Sequence, residues 1–501
     1  MSDLLIGIDI GTQGTKAGLF NPDMILLSEA FEASRLIRRE TGTVWQEADD
    51  IYGSVIRVIR ELLEKARVKG GDVAAIGLDS QMAGIMGIDA KGEAATYYDS
   101  WLDTRCKKQV QVMRSRAGKR IMQICGGPVS FTHGPKILRW KEEEPETFKK
   151  IAKFVLPHGY VVGKICGLDA EHATFDYTHC HFSGFADNLR KTWSDELLAA
   201  FGIPREKMAR IVSPFEIAGR TTADFAALTG LVTGIPVAAG AGDTAASVLG
   251  AGLFEKDSIL DVAGTASVLC ALADSYAPDT AHETMTMMRS PEDGKWYPLA
   301  YINGGGLTIR WFRDNFSGNP PASYAELEEE AAGVAPGSEG LIFIPHFAGR
   351  VLPAMPNLKG SFSGLDLKHG RAHLFRAVME GIAYEYSFYL SVLRDLYPGS
   401  AYTRLSSIGG GSKSDFFNTI KADVLGLDTV SFIAGDTALA GSAVIAGCGA
   451  GLFKDPKEPV LKTIRERKRI HSNPAAHEIY KTIAKRYLKT LKIQNSLYGG
   501  E

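Results

Sequence analysis

Three glycine-bracketed stretches hold the residue types from which phosphate and hydroxyl chemistry can be built. In GIDIGTQGTKAGLF, residues 7–20, Asp9 stands near the end of an apolar run and Gly11, Thr12, Gly14 and Thr15 follow in a short turn. Glycines at 11 and 14 let backbone N–H groups approach an anion with no Cβ in the way. The threonines add hydroxyl donors, and Asp9 can hold a magnesium ion, usually through water, that bridges phosphate oxygens. A tight turn between two core strands would use the same glycines. In AAGAGDTAASVLGAGLF, residues 238–254, Asp243 lies among small residues with no cation near it in sequence. Such a carboxylate can accept a proton from a hydroxyl, and it also suits the N-cap of the helix that TAASVLGAG predicts. In SSIGGGSKSDFFNTIKADVLG, residues 406–426, three glycines separate a strand from an amphipathic helix. A flat ring could lie on that bare backbone, or the glycines could make a plain strand-to-helix turn. No G-x-x-x-x-G-K-[ST] loop occurs, and the opening segment has no G-x-G-x-x-G. A Walker-type loop is therefore excluded and a dinucleotide enzyme disfavoured.

Groups like these need rigid elements to hold them. LLIGIDI and AGLF read as two strands joined by the first glycine turn. DDIYGSVIRVIRELLEKARV sets Ile51, Val55, Val58, Ile59 and Leu62 on one helical face. VAAIGLDSQMAGIMGID reads as strand again, with Gln81 and Met82 in its middle. This alternation predicts an α/β fold with helices flanking mixed sheets. KDSILDVAGTASVLC, residues 256–270, repeats the opening pattern, with Gly264-Thr265 falling 253 residues after Gly11-Thr12. Either a Gly-Thr turn recurs by chance or the chain holds two similar halves, each offering the same hairpin. The Gly/Ala/Thr-rich stretch near 230–260 sets the expected boundary, with domains at 1–245 and 246–501. Residues 318–338 read as a surface insertion with a polar helix, AAHEIYKTIAKRYLKTL as a closing amphipathic helix, and the basic run TIRERKRIHS as a solvated helix face.

The totals narrow the function class. The 501 residues are 45% hydrophobic and 23% charged with a net charge of −2, so no global field recommends a nucleic acid or a membrane as partner. Six cysteines lie far apart with no C-x-x-C pair, which reads as reduced thiols rather than a disulfide framework. MSDLLIGIDIG lacks the basic lead and long apolar run of a signal peptide, and no run reaches a membrane span. The expectation is a soluble, cytoplasmic protein.

Five segments in order resemble the FGGY carbohydrate kinases, and the resemblance covers nearly the whole chain. GIDIGTQGTKAGLF is similar to that family's first phosphate motif and DVAGTASVL to its second; AGAGDTAAS resembles the segment of the catalytic aspartate. GGGSKSDFFNTIKADVLG resembles the adenosine segment, and GSFSGLDLKHGRAHLFRAVMEGIAYE, with His373, Ala377 and Glu380, the C-terminal signature. The resemblance implies two ribonuclease-H-like ATPase domains of the actin/hexokinase type, with a nucleotide and sugar cleft between them. It implies ATP and Mg2+ as cofactors, with Asp9 near the metal and Asp243 as general base. Nucleotide contacts would come from Gly11, Thr12, Gly14, Thr15, Lys16, Gly264, Thr265, Gly410, Gly411, Ser412 and Asn418.

On the sugar side, DSQMAGIMGID and YYDSWLDTRC are similar to the family's substrate segments. They offer Gln81, Met82, Ala83, Trp101 and Asp103, with Asp176 and Asp243 beside them. The order Trp101, Asp103, Arg105 resembles the pentulose kinases, but Ala83 stands where a xylulokinase would carry histidine. Met82-Ala83 also replaces the Arg-Glu pair of glycerol kinases. Lys136 and Trp140 are four apart where the family has three, which touches a structural helix. EHATFDYTHCHF offers His172, His179, Cys180 and His181 to a zinc ion but has no C-x-x-C; His179 and His181 would alternate on a short strand or loop. The resulting expectation is an ATP-dependent kinase of a ketopentose, xylulose-like. Ribulose, L-xylulose, erythritol and glycerol remain alternative substrates, and an actin-like ATPase with a conformational role the rival class. The partners implied are the sugar and ATP, with a homodimer common in the family.

Overall fold

The computed structural model describes residues 3–39 and 42–498. Two sheets dominate it, and both follow one plan. The first runs in the order Ile217–Arg220, Pro236–Ala238, Val73–Ser80, Leu4–Ile10, Gly14–Phe20, Leu26–Ala33, with Ala241–Gly242 also paired to Val73–Ser80. The second runs Ile464–Ile470, Asp428–Ala434, Arg404–Ile408, Ser258–Ala263, Ser267–Ala271, Trp296–Ile302, Thr286–Arg289. In each, a hairpin and a third strand pair antiparallel, and a later strand returns parallel beside the first. A fifth strand follows parallel, with an antiparallel strand outside it. The Gly-Thr recurrence is thus an internal duplication in topology.

The outer face of each sheet is covered by a long helix from its own half. Ala48–Ala66 buries Ile51, Val55, Val58, Ile59 and Leu62 against Leu4, Ile6, Ile8 and Ile10, each such side chain contributing roughly 1.5–3 kcal/mol. Acidic Asp49 and Asp50 in its first turn and Lys65 in its last oppose the helix dipole. Arg371–Leu396 does the same for the second sheet. The inner faces are exchanged. Helix Thr437–Gly449 packs its Leu439, Ala443 and Val444 with Leu5 and Ala75 of the first sheet. Helix Asp243–Gly250 packs Ala245, Val248 and Leu249 with Leu260, Cys270 and Leu299 of the second. Close approach at these crossings depends on glycine. A Cβ on Gly7 or Gly77 would run into the backbone of helix Thr437–Gly449, and one on Gly250 or Gly441 would strike the backbone of the facing helix.

Other sequence expectations sort plainly. The stretch read as one strand from Val73 breaks after Ser80; Gln81 to Gly84 form a turn with Ala83 at φ +64°, and the strand Met86–Ile88 follows. The basic run is the edge strand Ile464–Ile470, not a helix face. Its Arg467 and Lys468 reach Asp415 at 2.5 and 2.6 Å, and charge of this kind keeps an edge from pairing with another chain. Helix Tyr324–Ala332 carries a Ser323/Glu326 capping box within the predicted insertion, and Pro474–Tyr498 closes the chain. The boundary drawn at 245 falls inside helix Asp243–Gly250. All six cysteines are free, and among the described residues no helix is long and apolar enough to cross a membrane.

Candidate active site

Both hairpins sit at the C-terminal end of the first strand of their sheets. In the first, Gly11 N–H donates to the Gly14 carbonyl at 3.0 Å, closing the turn. Thr12 links it to the sugar-side segments: its hydroxyl donates to Gln81 Oε1 at 3.3 Å and accepts from Trp101 Nε1 at 2.8 Å. Thr15 does not share this side. Alternation along Gly14–Phe20 turns it inward, where its hydroxyl bonds Ser54 Oγ at 2.7 Å in the core, away from the side on which Thr12 stands. Lys16, two-fifths exposed, faces the opposite way with Asp9. The second hairpin leaves Thr265 exposed at its tip. Carbonyls of Gly264 and Thr265 accept from Gly306 and Leu307 at 3.0 and 3.1 Å, docking the turn on the start of helix Gly305–Phe316.

Negative charge concentrates where the two exchanged helices begin. Lys16, Asp9 and Asp79 are register partners on three neighbouring strands, so their side chains form a row on one face. Lys16 Nζ lies 2.8 Å from Asp436 Oδ2 and 3.7 Å from Asp9 Oδ2. Asp436 caps helix Thr437–Gly449, accepting from Ala438 and Leu439 N–H. Burial and the Asp243 charge push the Asp9 carboxyl up to about 6, against the pull of Lys16. Burial and the Asp9 charge hold Asp79 well above the usual carboxylate range. Asp9 Oδ1 and Asp79 Oδ1 are buried with no hydrogen-bond donor. Hard oxygens short of positive charge are what a magnesium ion coordinates, so the residues present fit that metal.

Asp243 opens its helix. Its Oδ1 accepts from Thr244 N at 2.5 Å and Thr244 Oγ1 at 3.1 Å, which fixes the carboxyl group without neutralising it. Burial raises its proton affinity, with the Thr244 hydrogen bonds and His179 opposing. The loop before it is tied from beneath: Gly242 N–H donates to Thr178 Oγ1 at 2.9 Å. Thr178 hydroxyl and N–H in turn both donate to Asp176 Oδ1. His179 Nδ1 and His158 Nε2 meet the other Asp176 oxygen at 2.7 and 3.0 Å, and Ser80 Oγ bonds His158 Nδ1 at 2.7 Å. Asp176 is therefore a buried hub, with burial outweighed by His179 and His158, which hold its carboxyl well below the usual range.

Asp103 is likewise occupied. It is buried, accepting from Val44 N–H and from the Arg105 backbone and side chain. The sequence sets Asp103 and Asp176 against the sugar; in the structure both are buried, held by near neighbours in sequence, Arg105 for the one and Thr178 and His179 for the other, and by Val44 and His158 from further along the chain. Trp101 keeps 42% of its surface exposed, Met82 packs against Gly242, and Gln81 donates to Gln46 Oε1 at 2.6 Å. Of the residues considered for zinc, His172 is exposed with Asp169 and Cys180 stands apart, and the segment from Tyr177 to Phe182 is a 3-10 turn rather than a strand. The ligand atoms of His158, Asp176 and His179 lie within 4.8 Å of one another, a closeness their hydrogen bonds account for.

The third glycine stretch makes a sharp turn after Arg404–Ile408. Gly409 sits at φ +87°, a conformation glycine favours. Gly410 has open space around it, while Gly411 rests on Ala263 next to the second hairpin. Ser412 and Asn418 brace the turn: Ser412 Oγ donates to the Gly409 carbonyl, and Asn418 Nδ2 to the Ser412 carbonyl, each at 2.8 Å. Asn418 is fully buried, with its side-chain amide held on the turn.

Sequence reasoning passed over Asp79, Gln46 and Asp436. For Asp436 a signal was present: Gly-Asp-Thr-Ala occurs at 242–245 and again at 435–438, each followed by Gly-Ala-Gly-Leu-Phe, at 250–254 and 449–453. The repeat marks the two helix starts, and the start of Thr437–Gly449 lies on the later turns of Asp243–Gly250, where the Thr437 and Ser247 hydroxyls meet at 3.1 Å.

Comparison with known proteins gives the same arrangement a lineage. The N-terminal domain of the FGGY family of carbohydrate kinases matches residues 4–250 and its C-terminal domain residues 261–450. A xylulose kinase of Bacillus subtilis is 28% identical over 96% of this chain and 95% of its own. A gluconokinase of Bacillus licheniformis is 25% identical over 86% and 84%. The crystal structure of a xylulose kinase from Rhodospirillum rubrum superposes with a TM-score of 0.90 at 25% identity, covering 99% of this chain and all of that one.

Proposed function

Because this chain belongs to the FGGY family of carbohydrate kinases, we propose that it transfers the γ-phosphate of ATP to a hydroxyl of a ketopentose, xylulose-like in form. The observation that carries the reading is Asp243, fixed at a helix start beside the Asp9 row and the Thr12–Gln81–Trp101 chain. Phosphoryl transfer asks mostly for positioning and charge neutralisation, and the pieces here serve those ends. Gly11, Thr12, Gly14 and Lys16 would bind phosphates from one half, Gly264 and Thr265 from the other, with Gly410 and Gly411 backing the adenine ring. When bound at Asp9, magnesium would neutralise developing charge on the phosphate oxygens. Asp243 takes the proton of the attacking hydroxyl as its oxygen bonds to phosphorus and the bond to ADP breaks. Gln81, Met82, Ala83 and Trp101 would line the sugar.

The state of the nearby cations favours a neutral sugar over an aldonic acid such as gluconate. Arg105 pairs with Asp99 and Asp103, Arg139 with Asp99 and Glu144, and Lys136 donates to the Asp103 carbonyl at 2.7 Å. A substrate carboxylate would have to compete for them.

An ADP-release assay with Mg-ATP and a panel of D- and L-xylulose, D- and L-ribulose, erythritol, glycerol and gluconate tests this. Strong turnover with one pentulose is expected. Turnover with gluconate alone, or ATP hydrolysis indifferent to every sugar, would refute it.

A further inference from the structure

We propose that the divalent cation is held by two carboxylates, Asp79 as well as Asp9, one from each of two adjacent parallel strands. This rests on the kinase reading above, and adds to it a ligand that no sequence pattern pointed to. Asp9 and Asp79 are direct register partners between Leu4–Ile10 and Val73–Ser80, so both side chains leave the sheet on one face at one level. Asp79 is fully buried and Asp9 is 8% exposed. Each has one oxygen, Oδ1, buried with no donor from any other residue, and the two carboxyls face each other closely enough to interact directly.

Asp79 is also aimed. Its Oδ2 accepts from Ser442 Oγ at 2.6 Å, which leaves Oδ1 as the free atom. Ser442 is brought there because helix Thr437–Gly449 lies directly on Gly77, where a Cβ would collide with the Ser442 carbonyl. The nearest ammonium group does not meet the need, since Lys16 sits 2.8 Å from Asp436 and 3.7 Å from Asp9. Two buried oxygens without donors are costly, and a hard cation with oxygen ligands satisfies both at once. Ser442 belongs to the second half of the chain, so the seat would form only when that half's helix is docked.

The test uses the full-length protein without sugar. Mn2+ is titrated and followed by electron paramagnetic resonance for wild type, Asp9→Asn, Asp79→Asn and Ser442→Ala, with folding checked by circular dichroism. Asp79→Asn should weaken Mn2+ at least tenfold, as Asp9→Asn does, and Ser442→Ala a few-fold. The amide introduced by Asp79→Asn could still donate to Asp9, so if the two carboxyls merely shared a proton, Mn2+ affinity would stay near wild type. That outcome overturns the proposal. Should Asp79→Asn not fold, Mn2+-soaked crystals of the wild type decide: an anomalous peak bonded to both carboxylates supports it, and one bonded to Asp9 alone overturns it. Sugar turnover is assayed separately. Mn2+ bound by both residues in a protein that phosphorylates no sugar would sink the kinase reading alone.

Discussion

Replacing Asp243 with asparagine separates its chemical duty from its structural one. The Oδ1 of asparagine can still accept from Thr244 N–H and hydroxyl, as Asp243 does at 2.5 and 3.1 Å, so the helix start should survive. The second oxygen becomes an amide nitrogen with no lone pair for a proton. A positioned general base contributes ~10²–10⁴-fold to rate, or about 2.7–5.4 kcal/mol of barrier, and kcat should fall by that factor. Stability should move the other way. Asp243 is a half-buried carboxyl with raised proton affinity, and a group shifted upward costs stability above its unfolded value. Its charge also raises Asp9 and Asp79. The variant should therefore melt no lower than wild type near neutral pH. Coupled ADP-release kinetics, calorimetric ADP binding and thermal melts measure the three quantities on one preparation. Turnover within ~10-fold of wild type would remove Asp243 as base. Loss of ADP binding in step with turnover would mean that the residue organises the site rather than the proton.

Other perturbations read other parts of the design. Gly409→Ala places a side chain at φ +87° and ψ −171° with its Cβ 2.9 Å from the Ala263 carbonyl oxygen; it should cost ~1–3 kcal/mol from conformation alone and raise the KM for ATP more than it lowers kcat. Gly441→Val pushes a branched side chain into the Ala246 carbonyl at the helix crossing, and should cost about 1–3 kcal/mol or more, read by urea denaturation. His133 and His181 are held uncharged by burial, His181 down to about 3, with His179 adding to the effect on both. Groups depressed from 6.5 keep their contribution above that pH and lose it as pH falls toward the folded value. Denaturation at pH 7, 6 and 5 should show stability dropping by up to about 1.4 kcal/mol per pH unit per histidine below 6.5, and His181→Gln should flatten that slope.

Where local pattern decides structure, the sequence was readable. Two strands flank a Gly-Thr turn because apolar runs and glycines leave few options, and Ile51 to Leu62 form a helix face by spacing alone. The duplication showed through the same turn at 264–265. What stayed hidden was which side chains are already spoken for. Asp103 is claimed by Val44, Asp176 by His158, and Thr15 by Ser54, across 59, 18 and 39 residues of chain. Nothing in the local pattern reports a donor that folding will bring from elsewhere. Asp79 was missed for the related reason that its neighbour Asp9 lies one strand over. The run IRERKRI failed differently: charge at nearly every position erases the alternation by which a strand is recognised.

The exchange of inner helices has a consequence for what counts as a piece of this molecule. Cut the chain between residues 251 and 257, and each fragment keeps a whole sheet but carries away the helix that roofs the other one. Neither fragment should be soluble alone, since Leu5 and Ala75, or Leu260 and Cys270, would lie bare to water. Mixed, each supplies the other's missing cover. The two look-alike halves thus behave as the subunits of a swapped dimer that a short covalent tether happens to join.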